Sequence, residues 1–130
     1  MNRRTAREKG IQALYQMDVS GAESAEAIAN VLEDSEGDSR YLHEIVAGVE
    51  KHWDEIDTII KNNLEKWSFD RLAKVDRNIL RLAVYEMNYS EDVPGKVAVN
   101  EAIELAKYFS DERAGKFING VLSKINQSMD

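Results

Sequence analysis

The chain has 130 residues, 43% of them hydrophobic and 32% charged, with a net charge of -7, 1 proline and no cysteine. That length suits one domain around one core, and the missing cysteines exclude disulfides, thiolate metal sites and thiol nucleophiles, as in a reducing cytoplasm. No apolar run approaches the ~20 residues of a membrane-spanning helix, no signal-peptide pattern follows the basic start, and no stretch alternates with period two as a strand does.

The first 18 residues, MNRRTAREKGIQALYQMD, read as a helix. Thr5 is a candidate N-cap with Glu8 as its capping-box partner, which leaves Arg3 and Arg4 on a flexible arm. Ile11, Leu14 and Met17, with Ala13 beside them, form the buried stripe. Gly10 costs up to ~1 kcal/mol in a helix interior relative to alanine and is read as allowing close packing. Ser20-Gly21 ends the helix. A weaker helix follows over residues 22–32, anchored by Ile28, Val31 and Leu32 with Ala25 behind them. Residues 33–39, EDSEGDS, read as a loop whose Ser39 or Asp38 can cap what comes next. Residues 41–67 form a long helical region that Gly48 and the charged KHWDEID stretch divide near residues 51–54. Ser68 then caps a short turn carrying Phe69 and Leu72 inward.

Residues 75–87, VDRNILRLAVYEM, are apolar around most of a helical circumference, so they predict a central helix packed on two or three sides. Arg77, Asn78, Arg81, Tyr85 and Asn88 are left for a narrower polar stripe. Glu86 falls in the apolar stripe and needs partners; amides at the start of another helix would serve. Pro94-Gly95 marks a stop. Residues 97–109 are amphipathic, with Val99, Ala102, Ile103 and Ala106 inside. Ser110 or Asp111 can cap the last helix, which runs from Glu112 to about Ile125. The sum is an all-α domain of six or seven helices.

Catalytic patterns are absent. His43 and His52 do not share a helix face, the glycines are scattered singly, and the acids read as solvated faces, so neither a metal site nor a phosphate loop is expected. Binding features stand out better. Residues 1–22 carry net +2, residues 23–57 net -9 and the remainder zero. The basic cluster Arg3, Arg4, Arg7 and Lys9 suits a single-stranded phosphate backbone, or is simply a soluble N-terminus. Tyr15, and Phe117 beside Lys116, are stacking platforms or core-edge residues. Asp76 caps the central helix with Arg77 and Arg81 in its solvated stripe, or the three rim a protein-binding face.

Four stretches in order and spacing, RRTAREKGIQALYQMDVS, VDRNILRLAVYEM, VAVNEAIELAKYF and KFINGVLSKI, closely resemble the NusB transcription antitermination family from about Arg3 to Ile125. The resemblance implies a compact fold of two small helical subdomains, here 1–68 and 69–130. It implies a cytoplasmic factor, not an enzyme and without cofactor, that binds single-stranded boxA RNA of ribosomal RNA leaders. Its partners are NusE (ribosomal protein S10) and, in the assembled complex, other Nus factors and RNA polymerase. In some members the free protein is a homodimer, so self-association stays open. Carried over by position, the RNA-binding candidates are Arg3, Arg4, Arg7, Tyr15, Lys116 and Phe117. The partner-binding candidates are Asp76, Arg77 and Glu101, and Glu86 is structural. Arg113 stands where some relatives have an acid. The alternatives are a helical protein-interaction adaptor without specific RNA binding, an accessory domain of an RNA-modifying enzyme, and an enzyme with a composite active site. No cofactor domain follows Asp130, which argues against the second, and the third requires catalytic groups that the sequence does not display.

Overall fold

The computed structural model describes residues 1–33, 37–66 and 68–128. Among the described residues seven α-helices carry the fold: α1 (Arg3–Ser20), α2 (Ser24–Leu32), α3 (Arg40–Lys51), α4 (Trp53–Asn62), α5 (Lys74–Tyr89), α6 (Gly95–Phe109) and α7 (Glu112–Ser128). A 3₁₀ turn, Phe69–Arg71, joins α4 to α5, and no strand occurs among the described residues. The upper of the two helix counts expected from sequence is therefore correct. Residues 34–36 of the expected acidic loop, and Trp67, lie outside the described residues.

α5 is the centre. It packs against α1, α3, α4, α6 and α7, while α1 also pairs with α2 and α3, and α6 with α7. Ile79, Leu80, Leu82, Ala83 and Val84 are all buried, as the apolar circumference of the sequence requires. The division of residues 41–67 falls at His52, between α3 and α4.

Two local expectations are corrected. Helix α1 begins at Arg3, because the Asn2 side chain accepts the Thr5 N–H at 2.8 Å and so acts as the cap. Arg3 and Arg4 therefore sit on the first helical turn, not on a flexible arm. The polar stripe of α5 is not solvated either: Arg77, Asn78, Arg81 and Tyr85 are all buried. Their charges are satisfied inside the protein, as described below.

Close helix contacts explain two glycines. A Cβ at Gly10 would lie 3.0 Å from Ile45 Cδ1, so α1 and α3 approach where a side chain would crowd them. At Gly48 the constraint is stronger, because a Cβ would overlap the Tyr85 ring and lie 2.7 Å from its hydroxyl oxygen. Tyr85 is itself buried and cannot swing clear without opening the core. Gly48→Ala gains helix propensity of up to ~1 kcal/mol but overpacks a site where such insertions cost about 1–3 kcal/mol or more. The expected result is a net loss of stability, read as a lower urea midpoint with an unchanged slope.

Candidate nucleic-acid and partner interface

The N-terminal arginines meet acids of α5, of α6 and of the segment between them. Arg7 is 4% exposed and Glu86 1%. The Arg7 Nε and Nη2 donate to the two Glu86 carboxylate oxygens at 3.0 Å, and Nη1 donates to Glu101 Oε1 at 3.2 Å. The Tyr41 hydroxyl also donates to Glu86. Burial, reinforced by that carboxylate, pushes the Tyr41 phenol well above its ordinary range. Glu86 is thus partnered by an arginine and a tyrosine, not by helix amides. Arg7 was expected to neutralise RNA phosphates, but its guanidinium is enclosed and already charge-balanced, which places it in the scaffold.

Arg3 and Arg4 lie at the surface. Arg3 donates to Asp92 at 2.7 Å and lies over the Tyr41 ring, 4.3 Å from its centre. Arg4 pairs with Glu101, whose carboxyl is held below its usual range first by that hydrogen bond. Glu101, expected at a partner face, is therefore engaged by both Arg4 and Arg7.

A second charged cluster closes the far end of α1 against α5. Asp18 accepts from Arg77 Nε and Nη2, from Arg81 Nη1 at 2.9 Å and from Asn78 Nδ2 at 3.1 Å. Arg81 also donates to both Asp57 oxygens, at 2.8 and 3.0 Å, and lies over the Trp53 ring. Burial opposes ionisation of Asp18, but the Arg77 hydrogen bonds and the Arg81 charge outweigh it and hold the carboxyl low. Arg77, another expected partner contact, is committed to Asp18 in the interior.

Asp76 differs from its neighbours. It does not cap α5, since the cap position belongs to Ala73. Its Oδ1 is buried with no hydrogen-bond partner. Burial, and then the charge of Asp111, raise its carboxyl above the ordinary value. Asp111 in turn accepts the Ala114 N–H at 2.8 Å and caps α7. Asp76 borders an open concavity of about 700 Å³ with Arg71, Asp111, Arg113 and Phe117. The structure thus brings Asp76 and Phe117 to one surface depression. Lys116 follows Arg113 on the exposed side of α7, and Tyr15 is 40% exposed on α1.

The NusB family model matches residues 4–127. The chain belongs to the NusB family. The transcription antitermination protein NusB of Bacillus subtilis (strain 168) is 52% identical over 130 residues, covering 100% of this chain and 98% of that one. The Bacillus pumilus protein of the same name is 52% identical over 129 residues, with 99% and 98% covered. Among solved structures, NusB of T. maritima superposes with a TM-score of 0.89 at 35% identity, covering 98% of this chain and 92% of that one. A crystal structure of antitermination factors NusB and NusE in complex with double-stranded RNA contains a chain that matches with TM-score 0.88 at 35% identity, covering 97% and 96%.

Membership of the NusB family agrees with the all-helical fold and with the motifs read from sequence. Four residues of the charged clusters escaped that reading: Asp18, Tyr41, Asp57 and Asp92. Each is separated from its partner by 24 to 89 residues, so no helix spacing announces it. Among the described residues no group of three or more His, Asp or Glu side chains is placed to hold a metal ion. No helix of the described residues is long and apolar enough to cross a membrane.

Proposed function

We propose that this chain is a cytoplasmic, non-enzymatic antitermination factor that binds single-stranded boxA RNA jointly with NusE, within a complex of other Nus factors and RNA polymerase. The reading rests on family membership together with one local observation. An unpartnered, buried carboxylate oxygen of Asp76 stands in the same depression as Phe117 and Arg113. A buried acceptor without a donor costs free energy until one arrives. A protein partner bringing an N–H or a cation to Asp76 recovers that cost, while Phe117 and the adjacent Lys116 meet bases and phosphates at its edge. The RNA surface is then Arg3, Arg4, Tyr15, Lys116 and Phe117, with Arg7 holding the helix that presents the first three. The halves 1–68 and 69–130 act as two subdomains, a division supported by the 3₁₀ turn that separates α4 from α5.

Partner binding is tested by calorimetric titration with NusE. Wild type is expected to form a one-to-one complex, and Asp76→Lys to weaken it at least tenfold, because a like charge replaces the acceptor. Equal affinity for the two proteins contradicts the assignment of Asp76. A helical adaptor without RNA specificity retains the NusE complex and shows no preference among RNAs.

A further inference from the structure

Phe117 also borders a second concavity, of about 560 Å³, formed by residues 63–66 and one flank of α7. Lys66, Lys116 and Lys124 line it, against a single carboxylate, Glu65. Lys124 Nζ holds that carboxylate at 3.0 Å, and neither Lys66 nor Lys116 has an ion pair among the described residues. The lining is therefore net positive in a chain of charge -7. Two other depressions are balanced. The one at Asp76 sets Arg71 and Arg113 against Asp76 and Asp111. The one at Arg4 sets Arg4 and Lys107 against Glu8 and Glu104.

The shape suits a nucleic-acid backbone. Positions 116, 120, 123, 124 and 127 recur at helical spacing on one flank of α7. Lys116 and Lys124 stand eight residues apart, about 12 Å along the helix axis, which leaves room for a few phosphates. Gly120 lies between them, with nothing within 4 Å of where its Cβ would be, so the path over the helix is open. Asn63, Ser123 and Gln127 supply neutral hydrogen-bonding groups along it. Lysines act as point charges on flexible stems, which fits a mobile phosphate chain better than a fixed carboxylate fork.

We propose that this groove carries the RNA backbone onward from Phe117, so that the phosphate track continues along α7 through Lys116, Lys66 and Lys124. The proposal rests on the boxA reading above and extends it beyond the boxA element itself. It is tested by fluorescence anisotropy in the presence of NusE, with labelled boxA RNA, the same RNA lengthened by six nucleotides at either end, and a scrambled RNA of the longer length. The proteins are wild type, the double variant Lys66→Gln/Lys124→Gln and the charge-preserving Lys66→Arg/Lys124→Arg. Both lysines are at the surface, so unchanged circular dichroism and urea midpoint confirm that the variants fold.

Wild type is expected to bind one of the lengthened RNAs more tightly than boxA alone. The glutamine variant is expected to lose that gain, with its salt dependence reduced by about 0.7 in slope per lysine removed, and the arginine variant is expected to keep it. Identical affinity and salt slope for wild type and the glutamine variant on every RNA overturn the proposal. So does competition by polyglutamate as strong as competition by oligouridine, which would assign the groove to an acidic protein segment. If wild type shows no preference for boxA over the scrambled RNA, the boxA reading fails, while the lysine comparison on the scrambled RNA still decides the groove.

Discussion

Glu86→Ala is expected to destabilise the protein by about 3–5 kcal/mol, the cost of stranding one member of a buried ion pair. Arg7 is the member left behind, with only its Nη1 contact to Glu101 remaining. Its guanidinium is enclosed beside Ala83, Leu82 and Leu105, where water cannot replace the carboxylate. The Tyr41 hydroxyl loses its acceptor in the same step. Urea unfolding measures the loss. A double-mutant cycle with Arg7→Ala isolates the pair, and the two substitutions together are expected to cost much less than their sum. A replacement of both by apolar residues, Arg7→Met with Glu86→Leu, is expected to recover most of the stability. A change below about 1 kcal/mol for Glu86→Ala, the range of exposed pairs, would contradict the placement of Arg7 in the scaffold and return it to the RNA surface.

Asp18→Ala is expected to cost a similar amount, about 3–4 kcal/mol. Arg77 loses its carboxylate partner entirely, while Arg81 keeps Asp57. The effect also depends on pH. The folded protein holds the Asp18 carboxyl below its unfolded value, so its contribution is complete above about pH 4 and is lost as the pH falls through the lowered value. Wild type therefore loses stability on acidification through that window, and Asp18→Ala loses less. Urea midpoints at pH 7 and pH 3 are expected to differ more for wild type than for the variant. An equal difference would mean that Asp18 is not held ionised by the arginines.

The two clusters do more together than either does alone. Arg7, Ile11, Leu14 and Asp18 fall on one face of α1, at intervals of four, three and four. On α5 the order of charge is the same, cation before anion: Arg77 and Arg81 come first and Glu86 last. Asp18 meets the first pair and Arg7 meets the last residue, so α1 lies antiparallel to α5. Turning α1 end for end would set Arg7 against Arg77 and Arg81, and Asp18 against Glu86. The pairs sit about 16 Å apart along α1, and the apolar stripe between them fills the interval. Direction and register of the helix that carries Tyr15 are thereby fixed by charge, while burial of the stripe supplies the cohesion.

This pattern explains what the sequence disclosed and what it hid. The helices were legible because apolar spacing is a local signal, as in Ile79, Leu82 and Ala83, or in Ile118, Val121 and Leu122. The break at His52 was legible from Gly48 and the charged KHWDEID stretch, which are local signals too. Glu86 announced a need for partners by standing in an apolar stripe, but nothing local named Arg7, 79 residues away. Arg77 and Arg81 read as solvated because arginines on a helix usually are; only the return of α1 with Asp18 makes them interior. Among the candidate contacts, Phe117 and Asp76 were recognised by motif and lie at one depression. Arg77, Glu101 and Arg7 were recognised by the same means, yet they are joined to carboxylates or guanidiniums of the protein itself.

The measurement closest to the central claim is binding of labelled boxA RNA by fluorescence anisotropy, with and without NusE. A scrambled strand and a double-stranded boxA run alongside, each at two salt concentrations. The expected result is a preference for single-stranded boxA that strengthens when NusE is present and weakens with salt, with Phe117→Ala losing about 1–3 kcal/mol of binding free energy, the worth of one stacked base. Equal, weak binding to all three RNAs, unchanged by NusE, would contradict a joint RNA site and leave a helical adaptor with basic residues at one end. Tighter binding to the duplex would keep the RNA surface and overturn its assignment to single strands.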